Sequence, residues 1–257
     1  MSFNILQIFD QLELRIFKSH ITVHTEFYIT KQEENILMSK NYEKKSPEQI
    51  IRLDGKNVFL EVMNSAFGIG KIQINFQEYD ASQEKGNRIK KDISIFFSAD
   101  KFLVLANDLL SGRLTALAKK SKEDALKLQE DNKKKGIDRK VYAKEIYMDQ
   151  GGTSAARLAA KDKSRPDGKS EARLLKITPG ESMPWLMVAE LGPGEENEKG
   201  LIIPKFVNNR PEKQIRVPFT DDDFKRLVLI VKAHYEAFLS AQYGKGALTY
   251  KRDEKAS

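Results

Sequence analysis

The sequence predicts an α+β fold made of two similar units, each several antiparallel strands ending in one helix. Three observations predict it. The segment DISIFFSADKFLVL, beginning at Asp92, returns as QIRVPFTDDDFKRL, beginning at Gln214. Both copies pass from strand-like alternation through a hydroxyl residue into helical spacing. Upstream of each copy, the chain again alternates like strands separated by turns.

In the first unit, Asn57 to Met63 (NVFLEVM) and Lys71 to Tyr79 (KIQINFQEY) read as strands, the second alternating strictly, so that Lys71, Gln73, Asn75, Gln77 and Tyr79 share one face. A third strand carries Ile93, Ile95 and Phe97 on one face and ends at Ser98, a residue type that caps helices. Asp100 then falls in the first helical turn, where the dipole favours negative charge, and Phe102, Leu105 and Leu109 follow at helical spacing. Setting Phe97 against Phe219 gives an offset of 219 − 97 = 122. The same offset pairs Ile93 with Ile215, Ile95 with Val217, Ser98 with Thr220, Asp100 with Asp222, Phe102 with Phe224 and Leu105 with Leu227. In the second unit, Arg173 to Thr178, Met183 to Glu190 and Leu201 to Val207 read as strands, with a turn in GPGEENEKG. Phe224, Leu227, Val231 and Tyr235 continue as its helix. A helix on one sheet face leaves the other face available to solvent or a ligand.

At 257 residues and 40% hydrophobic, the chain is long enough to build such cores. It has no cysteine, which excludes disulfides and thiolate metal sites and makes the cytoplasm the expected compartment. Nothing resembles a leader or a membrane span, so no membrane association is expected. The net charge of +7 is concentrated between Leu117 and Lys176, where 17 Lys and Arg face 10 Asp and Glu. That stretch begins as a charged helix pattern and continues through GGTSAARLAAKDKSRPDGKSEAR, which by composition is a linker. The organisation expected is an extension of unknown role over residues 1–53, a first unit over 54–118, a charged helix and basic linker over 119–170, a second unit over 171–243 and a tail over 244–257.

GKIQINFQEYD, the basic hairpin segment EKGNRIKK and DISIFFSADKFLVLANDLL resemble the single-stranded-DNA-binding fold of the transcriptional positive cofactor four, the plant Whirly proteins and the Pur-type repeat proteins. The resemblance covers Asn57 to Ala118 well and Arg173 to Tyr243 less closely. It implies ββββα units with curved sheets, paired here as an intramolecular pseudo-dimer in which the second copy is the partner of the first. It also implies a strand-binding face, where positive groups track phosphates and bases stack on rings irrespective of sequence. Carried over by residue class, that face comprises Lys71, Gln73, Asn75, Gln77, Tyr79, Arg88, Lys90, Lys91 and Phe96 in the first unit. In the second unit it comprises Trp185, Lys205, Phe206, Arg210, Lys213 and Arg216. The second copy departs from the pattern: Leu186, Met187 and Val188 make one strand apolar on both faces, and Pro204 interrupts another, which fits packing better than binding.

Catalytic readings find little support. Asp221, Asp222 and Asp223 sit where a helix starts, so capping explains them better than a divalent metal. His20 and His24 lack the HExxH arrangement, and FGIGK lacks the spacing of a phosphate loop. The expectation is a non-enzymatic protein without cofactor or metal. It would bind single-stranded DNA with little sequence specificity in replication, repair, transcription or conjugative transfer, and could form homo-oligomers. RNA as the ligand, and a structural or adaptor role that binds protein through the same fold, are the alternatives.

Overall fold

A computed structural model describes residues 48–84 and 86–245 of the chain. His20, His24, most of the expected N-terminal extension and nearly all of the expected tail lie outside the described residues.

Sheet A is a four-stranded antiparallel meander of β1 (Gln49–Gly55), β2 (Val58–Met63), β3 (Lys71–Tyr79) and β4 (Ile89–Ser98), in that order. Its register puts Leu53, Leu60, Phe76 and Ile93 in one row and Ile51, Val62, Ile74 and Ile95 in the next. All of these are buried, and they form a continuous apolar inner face. The alternation that fills this face sends Gln73, Asn75 and Gln77 to the other side. β1 was not expected; it lies at the end of the stretch read as an extension, and it belongs to the first sheet as its edge strand.

α1 (Ala99–Leu110) follows β4 directly and leads into the long charged helix α2 (Arg113–Lys134). Sheet B then begins at β5 (Tyr147–Thr153), and after the short α3 (Ala155–Ala159) continues with β6 (Ser170–Pro179), β7 (Trp185–Glu196), β8 (Ile202–Pro204) and β9 (Lys213–Phe219). β7 is shared: its first seven residues pair with β9 and its last three with β8. The chain closes with α4 (Asp221–Gly244). The fold is therefore α+β, with two antiparallel sheets each followed by helix.

The stretch read as a linker is instead largely ordered structure, with β5 paired to β6 along its whole length and Leu158 of α3 buried. Its glycines misled the compositional reading. A Cβ on Gly152 would lie 2.3 Å from the Glu171 carbonyl oxygen and 2.8 Å from Ile202, so the glycine is there for close approach of strands. Beyond α3, Arg165 is held by Asp167 at 3.0 Å and Glu212 at 2.6 Å, which ties the loop to the start of β9.

Both sheets share one apolar core. Leu175, Ile177, Trp185, Met187, Ala189, Ile215, Val217 and Phe219 of sheet B belong to the same cluster as the inner face of sheet A and the buried sides of α1 and α4. β9 contacts all four strands of sheet A. The repeat is structural: Phe97 meets Phe102 edge-on at 6.1 Å, and the equivalent Phe219 meets Phe224 at 5.2 Å. The caps differ. Thr220 forms a reciprocal capping box with Asp223, whereas Ser98 occupies the N-cap position without capping and its hydroxyl accepts from Lys71.

Tyr147 packs its ring 5.9 Å from that of Phe97. Burial, with Asp149 and Asp100 nearby, pushes its phenol up to about 12. Among the described residues, no helix is long and apolar enough to cross a membrane.

The equivalence of Phe102 and Phe224 sets a first expectation. Phe102→Ala and Phe224→Ala should each destabilise the protein by roughly 3–5 kcal/mol in urea denaturation, because each empties a fully buried ring site. A second follows from the shared core: thermal unfolding should be one cooperative transition. A chain cut in the loop over residues 160–169 should stay associated in size exclusion and melt as one. Two separated transitions would contradict a common core.

Candidate nucleic-acid interface

The outer face of sheet A is built by the same register that fills the core. Across it lie the rows Phe59–Gln77–Asp92, Glu61–Asn75–Ser94 and Met63–Gln73–Phe96. Its polar groups are interlocked. Gln73 Nε2 donates to Asn75 Oδ1 at 2.9 Å, Ser94 Oγ donates to the same oxygen at 2.9 Å, and Asn75 Nδ2 donates to Glu61 Oε1 at 3.3 Å. Such a network fixes side chains in a flat array rather than leaving each to solvent. Lys71 is anchored at one end, its Nζ donating to Ser98 Oγ.

Aromatic groups flank this array. Phe96 stands 43% exposed beside Gln73. On the other side, Tyr79 packs at 5.9 Å from Phe59, and the Arg52 guanidinium covers the Phe59 ring at 3.6 Å. Arg52 and Phe59 went unnoticed in the sequence. The signal was present in RLDGKNVF, which reads as a tight hairpin with an arginine and a phenylalanine placed to meet across it.

The basic hairpin between β3 and β4 is electrically quieter than its sequence. Lys90 pairs with Asp80 at 2.9 Å and Lys91 with Glu78 at 2.9 Å. The Lys90 hydrogen bond, helped by Ser82, holds the Asp80 carboxyl well below the usual range, and the same contact raises the Lys90 ammonium. The register shift there leaves Lys90 as an extra residue, a bulge that bends the end of β4. Arg88 is exposed, and its Nε donates to the Gln83 carbonyl oxygen at 2.9 Å.

The residues expected in the second unit do not assemble into an equivalent face. Trp185 is 2% exposed, packs edge-on against Phe224 at 5.4 Å and donates from Nε1 to Asp221 Oδ1 at 3.0 Å. It is a core residue, unavailable for stacking in this arrangement. Asp221 is itself held low by hydrogen bonds from Lys225 and Trp185, and with Asp223 in the capping box two of the three consecutive aspartates serve the helix start. Phe206 lies against the backbone of β7, where a Cβ on Gly192 would come within 2.9 Å of its ring. Lys205 faces Glu195 at 3.7 Å, Lys213 faces Asp92 at 3.8 Å, and Arg210 is exposed. Arg216 lies elsewhere, on the outer face of sheet B, in one row with Lys176 and Val188.

No group of three or more metal-ligating side chains occurs among the described residues. No family model, curated protein or solved structure matches the chain.

Proposed function

We propose that the protein binds single-stranded DNA with little sequence specificity through the outer face of sheet A, acting as a binding protein rather than an enzyme. The observation that carries this reading is the side-by-side placement of the Gln73–Asn75–Ser94 array and the exposed Phe96 ring, on a sheet whose other face is wholly committed to the core. The amides offer donors and acceptors to base edges, and the ring offers a stacking platform indifferent to base identity. Lys71 and Arg88 supply charge for phosphates at the margins of the face, whereas Arg52 is already paired with Asp54 at 2.7 Å. Glu61, Asp54 and Asp92 lie on or beside it, so stacking and amide contacts carry more of the affinity than net charge does. The sequence resemblance to single-stranded-DNA-binding folds supports the same reading.

Phe96→Ala should weaken binding of an oligothymidine by roughly 1–3 kcal/mol while leaving the melting temperature nearly unchanged. Trp185→Ala should do the reverse, lowering the melting temperature strongly. Equal loss of binding in both variants, tracking stability, would remove the stacking assignment. The salt dependence should be shallow: neutralising about two phosphates gives a log–log slope of roughly −1.4. A slope several times steeper, or equal retention of duplex DNA, would place the contacts elsewhere. Parallel titrations with an RNA of the same sequence separate the two ligands.

A further inference from the structure

The outer face of sheet B is the floor of an open groove of about 990 Å³. The floor is apolar at Leu186, Val188 and Pro218, and the walls come from α2, the segment over residues 141–145, the β6–β7 turn and the β1–β2 turn. Leu126 and Met183, both largely exposed, add apolar surface to the walls. The size fits the upper range of small-ligand clefts.

Charge inside the groove is arranged unevenly. Glu190, 5% exposed, is fully engaged: Lys176 Nζ pairs with one carboxylate oxygen at 2.8 Å and Gln214 Nε2 donates to the other at 2.7 Å. Glu181 on the turn is paired with Lys140 at 2.7 Å. Gln214 also accepts from Arg216 Nε at 2.8 Å, which holds the guanidinium by one edge and leaves its terminal nitrogens unused by any carboxylate among the described residues. Lys56 from the β1–β2 turn and Lys122 from α2 likewise have no carboxylate partner among the described residues. Against these three cations, Glu145 is the one lining carboxylate without a cation partner among the described residues. A neutralised ion pair thus fixes, through Gln214, one edge of the Arg216 guanidinium in the row that also holds Val188 of the apolar floor.

We propose that this groove binds a small amphipathic organic anion, whose carboxylate or phosphate-ester head is taken by Arg216 with Lys56 or Lys122 and whose apolar body lies on Leu186, Val188 and Pro218. The fork geometry of arginine suits both kinds of head. A bare inorganic anion binds more weakly, because it lacks the hydrocarbon or aryl body whose burial against the floor adds to the affinity. The site is on sheet B and does not depend on the strand-binding reading of sheet A.

The test is isothermal titration of the full chain with dodecanoate below its micelle concentration and with 1-naphthyl phosphate, beside 1-naphthol and inorganic phosphate. Saturable one-to-one binding of at least one amphipathic anion is expected, at least about tenfold tighter than either control. The arm that binds identifies the head. Arg216→Gln should weaken that binding roughly tenfold to a hundredfold, the range of a charged hydrogen bond, with circular dichroism and melting temperature unchanged because Arg216 is exposed. Methyl resonances of Leu186, Val188 and Met183 should shift on titration. Absence of binding by both anions, binding unchanged in Arg216→Gln, inorganic phosphate binding as tightly, or shifts confined to other methyls would each overturn the assignment.

Discussion

Everything else in the molecule depends on where β9 buries its apolar side. Ile215, Val217 and Phe219 enter the core that also contains the inner face of sheet A, and β9 touches every strand of that sheet. Neither sheet is closed by its own helix alone. α4 leans on β1, with Tyr235 and Phe238 ringed around Phe67 at 5.1 and 5.6 Å, while α1 reaches β5 through the Lys101–Asp149 pair. A face left open by removing either unit would expose large apolar area to water, so the two repeats stabilise each other rather than merely adjoin.

The duplication is strict where burial is complete and loose where it is not. The phenylalanine pairs, the isoleucine and valine positions of β4 and β9, and Leu105 with Leu227 occupy equivalent buried sites. Each phenylalanine pair is completed by a third ring from sheet B, Tyr147 beside Phe97 and Trp185 beside Phe224. At the exposed junctions the copies diverge. Thr220 spends its hydroxyl on the helix start, whereas Ser98 gives its oxygen to Lys71, which leaves α1 to its packing for stability.

The two-unit architecture was legible because both signals behind it, period-two alternation and the repeat at a fixed offset, are imposed by burial. β1 was missed because Ile50 and Ile51 are buried in succession, across a register shift that breaks the alternation. β5 was missed because Gly151 and Gly152 read as a linker, when at Gly152 the neighbouring strands approach too closely to admit a side chain. On the candidate face, Lys71, Gln73, Asn75 and Gln77 could be placed from parity alone. Trp185 could not. A tryptophan on a strand is assigned to ligand or core by what covers it, and the covering residues, Phe224 and Asp221, lie more than thirty positions away in sequence. The groove was likewise invisible, since its walls come from four separate segments.

The distribution of charge explains why the two outer faces have different chemical capacities despite sharing one alternation rule. Formal charge is a property of the chain; binding responds to charges left without a local partner. In the β3–β4 hairpin, where the sequence is conspicuously basic, Lys90 and Lys91 already have carboxylates, and exposed pairs of this kind hold little field beyond themselves. On sheet B the sequence shows only isolated cations, yet folding pairs Glu190 with Lys176 and leaves Arg216 oriented and unspent. The flat amide array of sheet A favours a ligand that lies across it and offers planar rings. The walled floor of sheet B favours one that enters with an apolar body and brings a single negative head. The two ligand chemistries proposed for one pseudo-symmetric scaffold rest on which carboxylates the register places beside which cations, a pairing set by strand register rather than by composition.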